Sequence, residues 1–89
     1  MSEEQRSIKP DQPAVYRIEV QGALDTSWEE TFGKLRIEHQ VDRRGAIITT
    51  LTGEVPDQAA LAGVLNLTYS LGMPLLSVEY LRDPIAAAL

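Results

Sequence analysis

The chain has no cysteine, which removes disulfide staples, thiolate metal sites and thiol nucleophiles together and leaves the redox compartment unreadable. Histidine occurs once, at His39, too few for an imidazole metal cluster. Basic side chains are in deficit, 8 against 13 acidic ones for a formal charge of -5, and they are scattered along the sequence. Such a balance repels nucleic acid and anionic lipid. Long hydrophobic runs are missing as well. The stretch 58–78 carries no ion, but Gln58, Asn66, Ser70 and the Gly72-Met73-Pro74 break interrupt it. A membrane span needs roughly 20 mostly apolar residues, so none is expected.

What is present fits one small domain. A chain of 89 residues buries only roughly 60 to 65% of its unfolded surface, a thin margin that oligomerisation commonly supplements. Met1 to Pro13 is polar, carries both signs and lacks an apolar core segment, so it reads as a disordered N-terminal tail rather than a signal peptide or anchor. The expectation is a cytoplasmic protein whose domain spans residues 14–81, with a tail over 82–89.

Tyr16, Ile18 and Val20 alternate with Arg17, Glu19 and Gln21, the period of a strand with one dry face, over 14–21. After Gly22, the residues Asp25, Thr26 and Ser27 offer helix caps, with Glu29 and Glu30 as capping-box partners, so a short helix is expected to run to Phe32 and end at Gly33. Trp28 and Phe32, four apart, would dock on the sheet from one helix side. Leu35, Ile37, His39 and Val41 alternate with Lys34, Arg36, Glu38 and Gln40 in a second strand, which Asp42-Arg43-Arg44-Gly45 joins to a third over 46–52. Gly53 leads into a long helix over 56–71, with Pro56 at its first position, Asp57 at the positive end of its dipole, and a core stripe of Leu61, Val64, Leu65, Thr68 and Leu71. Ala60 and Leu67 widen that stripe on one side, Ala62 and Tyr69 on the other. Leu76, Val78 and Tyr80 then point inward from a fourth strand, with Leu75, Ser77 and Glu79 outward. Asp83-Pro84 could open one more helical turn through Ile85. This order predicts an α+β, ferredoxin-like βαββαβ domain: a four-stranded antiparallel sheet with two helices on one face, the first of them short.

The segment 49–81 carries Leu51-Thr52-Gly53, Asp57-Gln58-Ala59-Ala60-Leu61-Ala62-Gly63 and Leu71-Gly72-Met73-Pro74-Leu75-Leu76-Ser77-Val78. With Gly22-Ala23-Leu24, Trp28 and Phe32-Gly33, it resembles a group of short uncharacterised bacterial proteins over about residues 14–81; that resemblance implies no activity. Strand, Asp57, leucine-containing helix, Gly72 and strand are also similar to half of an ACT regulatory module, in which a loop before the helix binds an amino acid at a dimer interface. That resemblance implies ligand binding at Asp57 and Gln58. The ACT pattern follows the first strand with a Pro-Gly after its Asp, whereas here it follows the third and reads Pro56-Asp57-Gln58.

No constellation compels catalysis. His39, beside Glu38 and three residues before Asp42, would need an orienting partner and a pocket to act as a base, and the bland alternative is a packed histidine bonded near a strand end. No metal, cofactor or catalytic residue is assigned. RNA-binding sheets stack bases on exposed aromatics, and the third strand has none. Asp57 and Gln58 bind either a ligand or the helix's own free amides. Trp28 is either an interface anchor or a packing ring.

The charge-free run gives the main functional expectation. A surface helix on a small domain normally shows water a charged stripe, whereas the outer side here presents Ala59, Gly63, Asn66 and Ser70, flanked by Leu67. Gly63 costs a helix about 1 kcal/mol against alanine and is either tolerated or needed for close approach of another backbone. The reading is a non-catalytic protein-interaction or self-association module, a homodimer or a complex with another protein, with those five residues as the interface and the open sheet face as the alternative surface. An ACT-like small-ligand sensor and a small enzyme using His39 are the alternatives.

Overall fold

A computed structural model describes residues 11–33 and 35–84. Four strands, β1 (Ala14–Gln21), β2 (Arg36–Val41), β3 (Ile47–Val55) and β4 (Leu75–Arg82), form one antiparallel sheet in the order β2-β3-β1-β4. One α-helix, α1 (Gln58–Ser70), joins β3 to β4, and a single 3-10 turn (Thr26–Glu29) lies between β1 and β2. The class is α+β, as the patterning predicted. The expected N-terminal tail lies outside the described residues up to position 10, and so do the final helical turn from Ile85 and the end of the C-terminal tail.

The core follows from the strand period. Tyr16, Ile18 and Val20 of β1 face Gly53, Leu51 and Thr49 of β3, and β2 adds Ile37 opposite Leu51. Over this row pack Leu61 and Val64 of α1 and Leu24, Phe32 and Leu35 of the first connection. Thr49 is one of three buried threonines among the described residues, with Thr50 and Thr68. Its Oγ1 donates to the Gly22 carbonyl at 2.6 Å and accepts the Leu24 N–H at 3.0 Å, so one buried hydroxyl fastens the turn after β1 to the central strand.

The first crossover differs from expectation: it forms one 3-10 turn, not a helix. Asp25 rather than Thr26 or Ser27 is its cap, accepting from the Ser27 N–H. Glu29 does not reach back to the cap; its carboxylate accepts the Ile37 N–H at 2.9 Å and ties the turn to β2. Seven residues separate Asp25 from Gly33, too few to repay helix nucleation when the acidic partner has a better bond elsewhere. Trp28 and Phe32 still associate, with ring centroids 6.3 Å apart, but only Phe32 is buried; Trp28 is half-buried.

The long helix begins two residues later than expected. Asp57 is its N-cap, accepting from the Ala60 N–H at 2.8 Å, and Pro56 stands outside. At the other end Gly72 N–H bonds Tyr69 O and Met73 N–H bonds Thr68 O, a Schellman closure that requires the left-handed φ of 78° at Gly72. Leu61, Val64 and Thr68 are buried, whereas Tyr69, expected to widen the core stripe, is 82% exposed.

In β4 the inward and outward sets also depart from simple alternation. Val20 pairs with Leu75 and Glu19 with Ser77, leaving Leu76 as an extra, bulged residue. Directly paired residues share a face, so Leu75 follows Val20 to the helix side, and Leu76 lines a depression on the open face with Glu19 and Ile48.

Candidate functional site

Helix α1 and the end of the first connection leave an apolar groove of about 500 Å³ between them. Phe32 and Gly33 form one wall, Val55 and Pro56 the floor of one end, and Ala60, Gly63, Val64 and Leu67 the other wall. The shortened crossover accounts for it, because a single turn covers less of the sheet than a helix would.

The two residues expected to bind a ligand stand at one end of α1 with their polar atoms engaged inside the chain. Asp57 Oδ1 caps the helix, and Gln58 Nε2 donates to the buried Tyr16 hydroxyl at 2.6 Å. Tyr16 in turn packs edge-on against Tyr80 of β4 at 5.9 Å. The pair therefore locks the helix start onto β1.

His39 pairs with Thr49 across β2 and β3, on the helix side of the sheet, and its Nε2 donates to the Leu24 carbonyl at 2.6 Å. Glu38 follows the alternation to the opposite face. Asp42 Oδ1 accepts the Arg44 and Ala46 N–H groups at 2.8 and 2.9 Å and so shapes the β2–β3 turn. His39 is thus not joined to either carboxylate suggested as its partner. Among the described residues no group of three His, Asp or Glu side chains comes together in the manner of a metal site.

The five residues expected at an interface divide into two sets. Gly63 and Leu67 line the groove, while Ala59, Asn66 and Ser70 face water outside it. A Cβ on Gly63 would meet nothing within 4 Å, so no described element of this chain approaches it closely. The larger apolar exposure lies further along. Among the described residues the exposed large hydrophobics are Val41 and Ile47, which flank the β2–β3 turn, and Tyr69, Leu71, Leu75, Leu76 and Val78, which fall within ten consecutive positions. Sequence reasoning missed the second set by assigning the charge-free run to the back of the helix, although the run continues to Val78 in β4.

Among the described residues β4 stands at one end of the strand order. At the other end of the strand order, β2 shows Arg36, Glu38, His39, Gln40 and, at 67% exposure, Val41 to water and has Glu29 seated on the Ile37 N–H. β4 offers Leu75, Leu76 and Val78 at 51, 47 and 39% exposure. On the open face, Arg17, Glu19, Arg36, Glu38, Thr50 and Thr52 line a polar depression, closed toward β4 by the Arg17–Glu79 ion pair at 2.7 Å and the Ser77–Glu19 hydrogen bond at 3.2 Å. Among the described residues no helix is long and apolar enough to cross a membrane.

No curated protein and no solved structure matches the chain. A family model does match, over residues 15–79, which takes in α1, β2, β3, all but the first residue of β1 and the first part of β4, and on that match the chain belongs to the domain of unknown function family DUF8691.

Proposed function

We propose that this protein is a non-catalytic self-association module, built on a ferredoxin-like plan whose first crossover is reduced to a single turn. The observation that carries the reading is the concentration of exposed apolar side chains in residues 69–78, a stretch without a single charge. Exposed hydrophobics scattered singly are ordinary on a small domain; these five lie close together in sequence, with Leu75 on the helix side and Leu76 on the open face of β4. A second copy of the chain is the simplest occupant, because closed symmetric dimers are the commonest assembly.

The rival readings draw less support from the geometry. An amino-acid sensor at Asp57 and Gln58 would have to break a helix cap and a bond to buried Tyr16 before those side chains could meet a ligand. An enzyme using His39 would lack an orienting carboxylate, since Asp42 is committed to its turn. Sedimentation equilibrium at micromolar concentration tests the proposal. Twice the chain mass is expected; a monomer throughout that range refutes self-association.

A further inference from the structure

We propose that the open face of the sheet binds a small linear zwitterion, with its carboxylate on Arg36 and its ammonium on Glu38. The site lies across the sheet from α1 and does not depend on self-association.

The register of the sheet sorts its open-face charges into two rows. Arg17 and Arg36 both stand opposite Thr52 of β3, and Glu19 and Glu38 both stand opposite Thr50. Residues two apart on a strand are about 7 Å apart, so a cationic row runs beside an anionic one at that spacing. Together they line a depression of about 610 Å³, and every described residue that lines it belongs to β1, β2 or β3.

The two halves of these rows are treated differently. On the β1 side the charges are satisfied within the chain, Arg17 by Glu79 at 2.7 Å and Glu19 by the Ser77 hydroxyl at 3.2 Å. On the β2 side Arg36 and Glu38 share a face, yet neither makes a hydrogen bond or ion pair with a described residue, including the other. Opposite charges that stay apart in this way leave a gap with a guanidinium at one end and a carboxylate at the other. The hydroxyls beside them are available as well. Thr52 makes no side-chain hydrogen bond with a described residue, and Thr50 Oγ1 accepts one long bond, 3.4 Å from Gln40 Nε2, which leaves it a second lone pair.

The charge layout selects the ligand. A simple anion on Arg36 would be repelled by Glu38, and a simple cation on Glu38 would be repelled by Arg36. A molecule with both charges about 7 Å apart satisfies the two ends at once. Its carboxylate accepts from the Arg36 guanidinium and the Thr52 hydroxyl, while its ammonium donates to Glu38 and to Thr50 Oγ1. An ω-amino acid such as δ-aminovalerate has this form. Contacts so exposed are individually weak, so a dissociation constant on the order of 1 mM is expected, rising with salt.

Amide chemical shifts of the full chain, titrated with δ-aminovalerate at neutral pH, test the site. Changes are expected in residues 36–40 and 50–52, saturating in the millimolar range. Valerate and butylamine, which carry one charge each, should bind about 10-fold more weakly, as should δ-aminovalerate to Arg36→Gln or to Glu38→Gln. Arg44→Gln, on the β2–β3 turn, should bind as the native chain does. The double exchange of Arg36→Glu with Glu38→Arg should restore binding, because the zwitterion can turn end for end, and a damaged fold would give no such rescue. Valerate binding as tightly as δ-aminovalerate overturns the proposal in favour of a plain anion contact. A full chain whose residues 36–40 do not respond overturns it too, whatever lies over the face.

Discussion

Thr49 shows how much one buried polar side chain can organise. It belongs to the central strand, yet its hydroxyl supplies an acceptor and a donor to the turn after β1, holding the buried Leu24 N–H and the part-buried Gly22 carbonyl. Thr49→Val keeps the shape and removes both bonds, leaving two backbone groups without a partner. A loss of about 1–3 kcal/mol is expected, read as a lower midpoint in urea unfolding with an unchanged denaturant slope. An unaltered midpoint would mean that the turn is held by its apolar contacts alone. Gly72 makes a different contribution. Its φ of 78° closes α1, and alanine there must adopt a left-handed conformation at about 1–2 kcal/mol. Gly72→Ala should therefore lower the thermal midpoint. Little of Thr49's role was legible beforehand, because its alternation with Ile48 and Thr50 marks a central strand but not which backbone groups lie across the turn. Gly72 was legible as a helix stop, since glycine followed by proline two residues later has few other uses.

At the scale of elements, the strands were readable where side chains answer to a period and unreadable where they answer to a neighbour. β1 follows its alternation, whereas β2 keeps only Ile37 buried and leaves His39 and Val41, expected on its dry face, exposed. β4 departs from alternation because a bulge is a property of two strands: the insertion of Leu76 becomes visible only once Glu19 and Val20 are set beside it. The first crossover was misread for a similar reason. Thr26, Ser27, Glu29 and Glu30 make a plausible helix start locally, and the outcome is decided eight residues away, at the Ile37 N–H that Glu29 reaches. Helix α1 was read within two residues at each end. Its cap carries a prediction: Asp57→Ala frees the Ala60 N–H and should cost about 1 kcal/mol, whereas Asp57→Asn should cost less because the amide oxygen still accepts. At Gly63 one substitution separates tolerance of a small residue from a need for it. An added methyl there meets nothing within 4 Å, so Gly63→Ala should stabilise the isolated chain by about 1 kcal/mol in chemical unfolding. If the same substitution weakens association measured by sedimentation, a second backbone lies against α1 at that position, and the helix back belongs to the interface.

For the whole molecule, association sets two opposing terms against each other, and salt can tell them apart. Each copy carries a formal charge of -5, so two copies repel as they approach. The surface proposed to join them is apolar side chains and backbone, with no ion between Gln58 and Val78. The repulsion acts over a distance that falls from about 30 Å at 0.01 M to about 10 Å at 0.1 M ionic strength, while the apolar burial is insensitive to that screening. Association should accordingly tighten as sodium chloride rises from about 0.01 to about 0.2 M, and the thermal midpoint should climb with protein concentration at every salt level, because binding to the folded state alone stabilises it by mass action. An interface made of ion pairs predicts the reverse salt dependence. The polar depression of Arg17, Arg36, Glu19 and Glu38 on the open face brings both signs of charge together in the way such an interface requires. A dimer that dissociates as salt is raised would therefore move the contact from the apolar stretch 69–78 to the charged face of the sheet, and a midpoint independent of concentration would leave the chain a monomer.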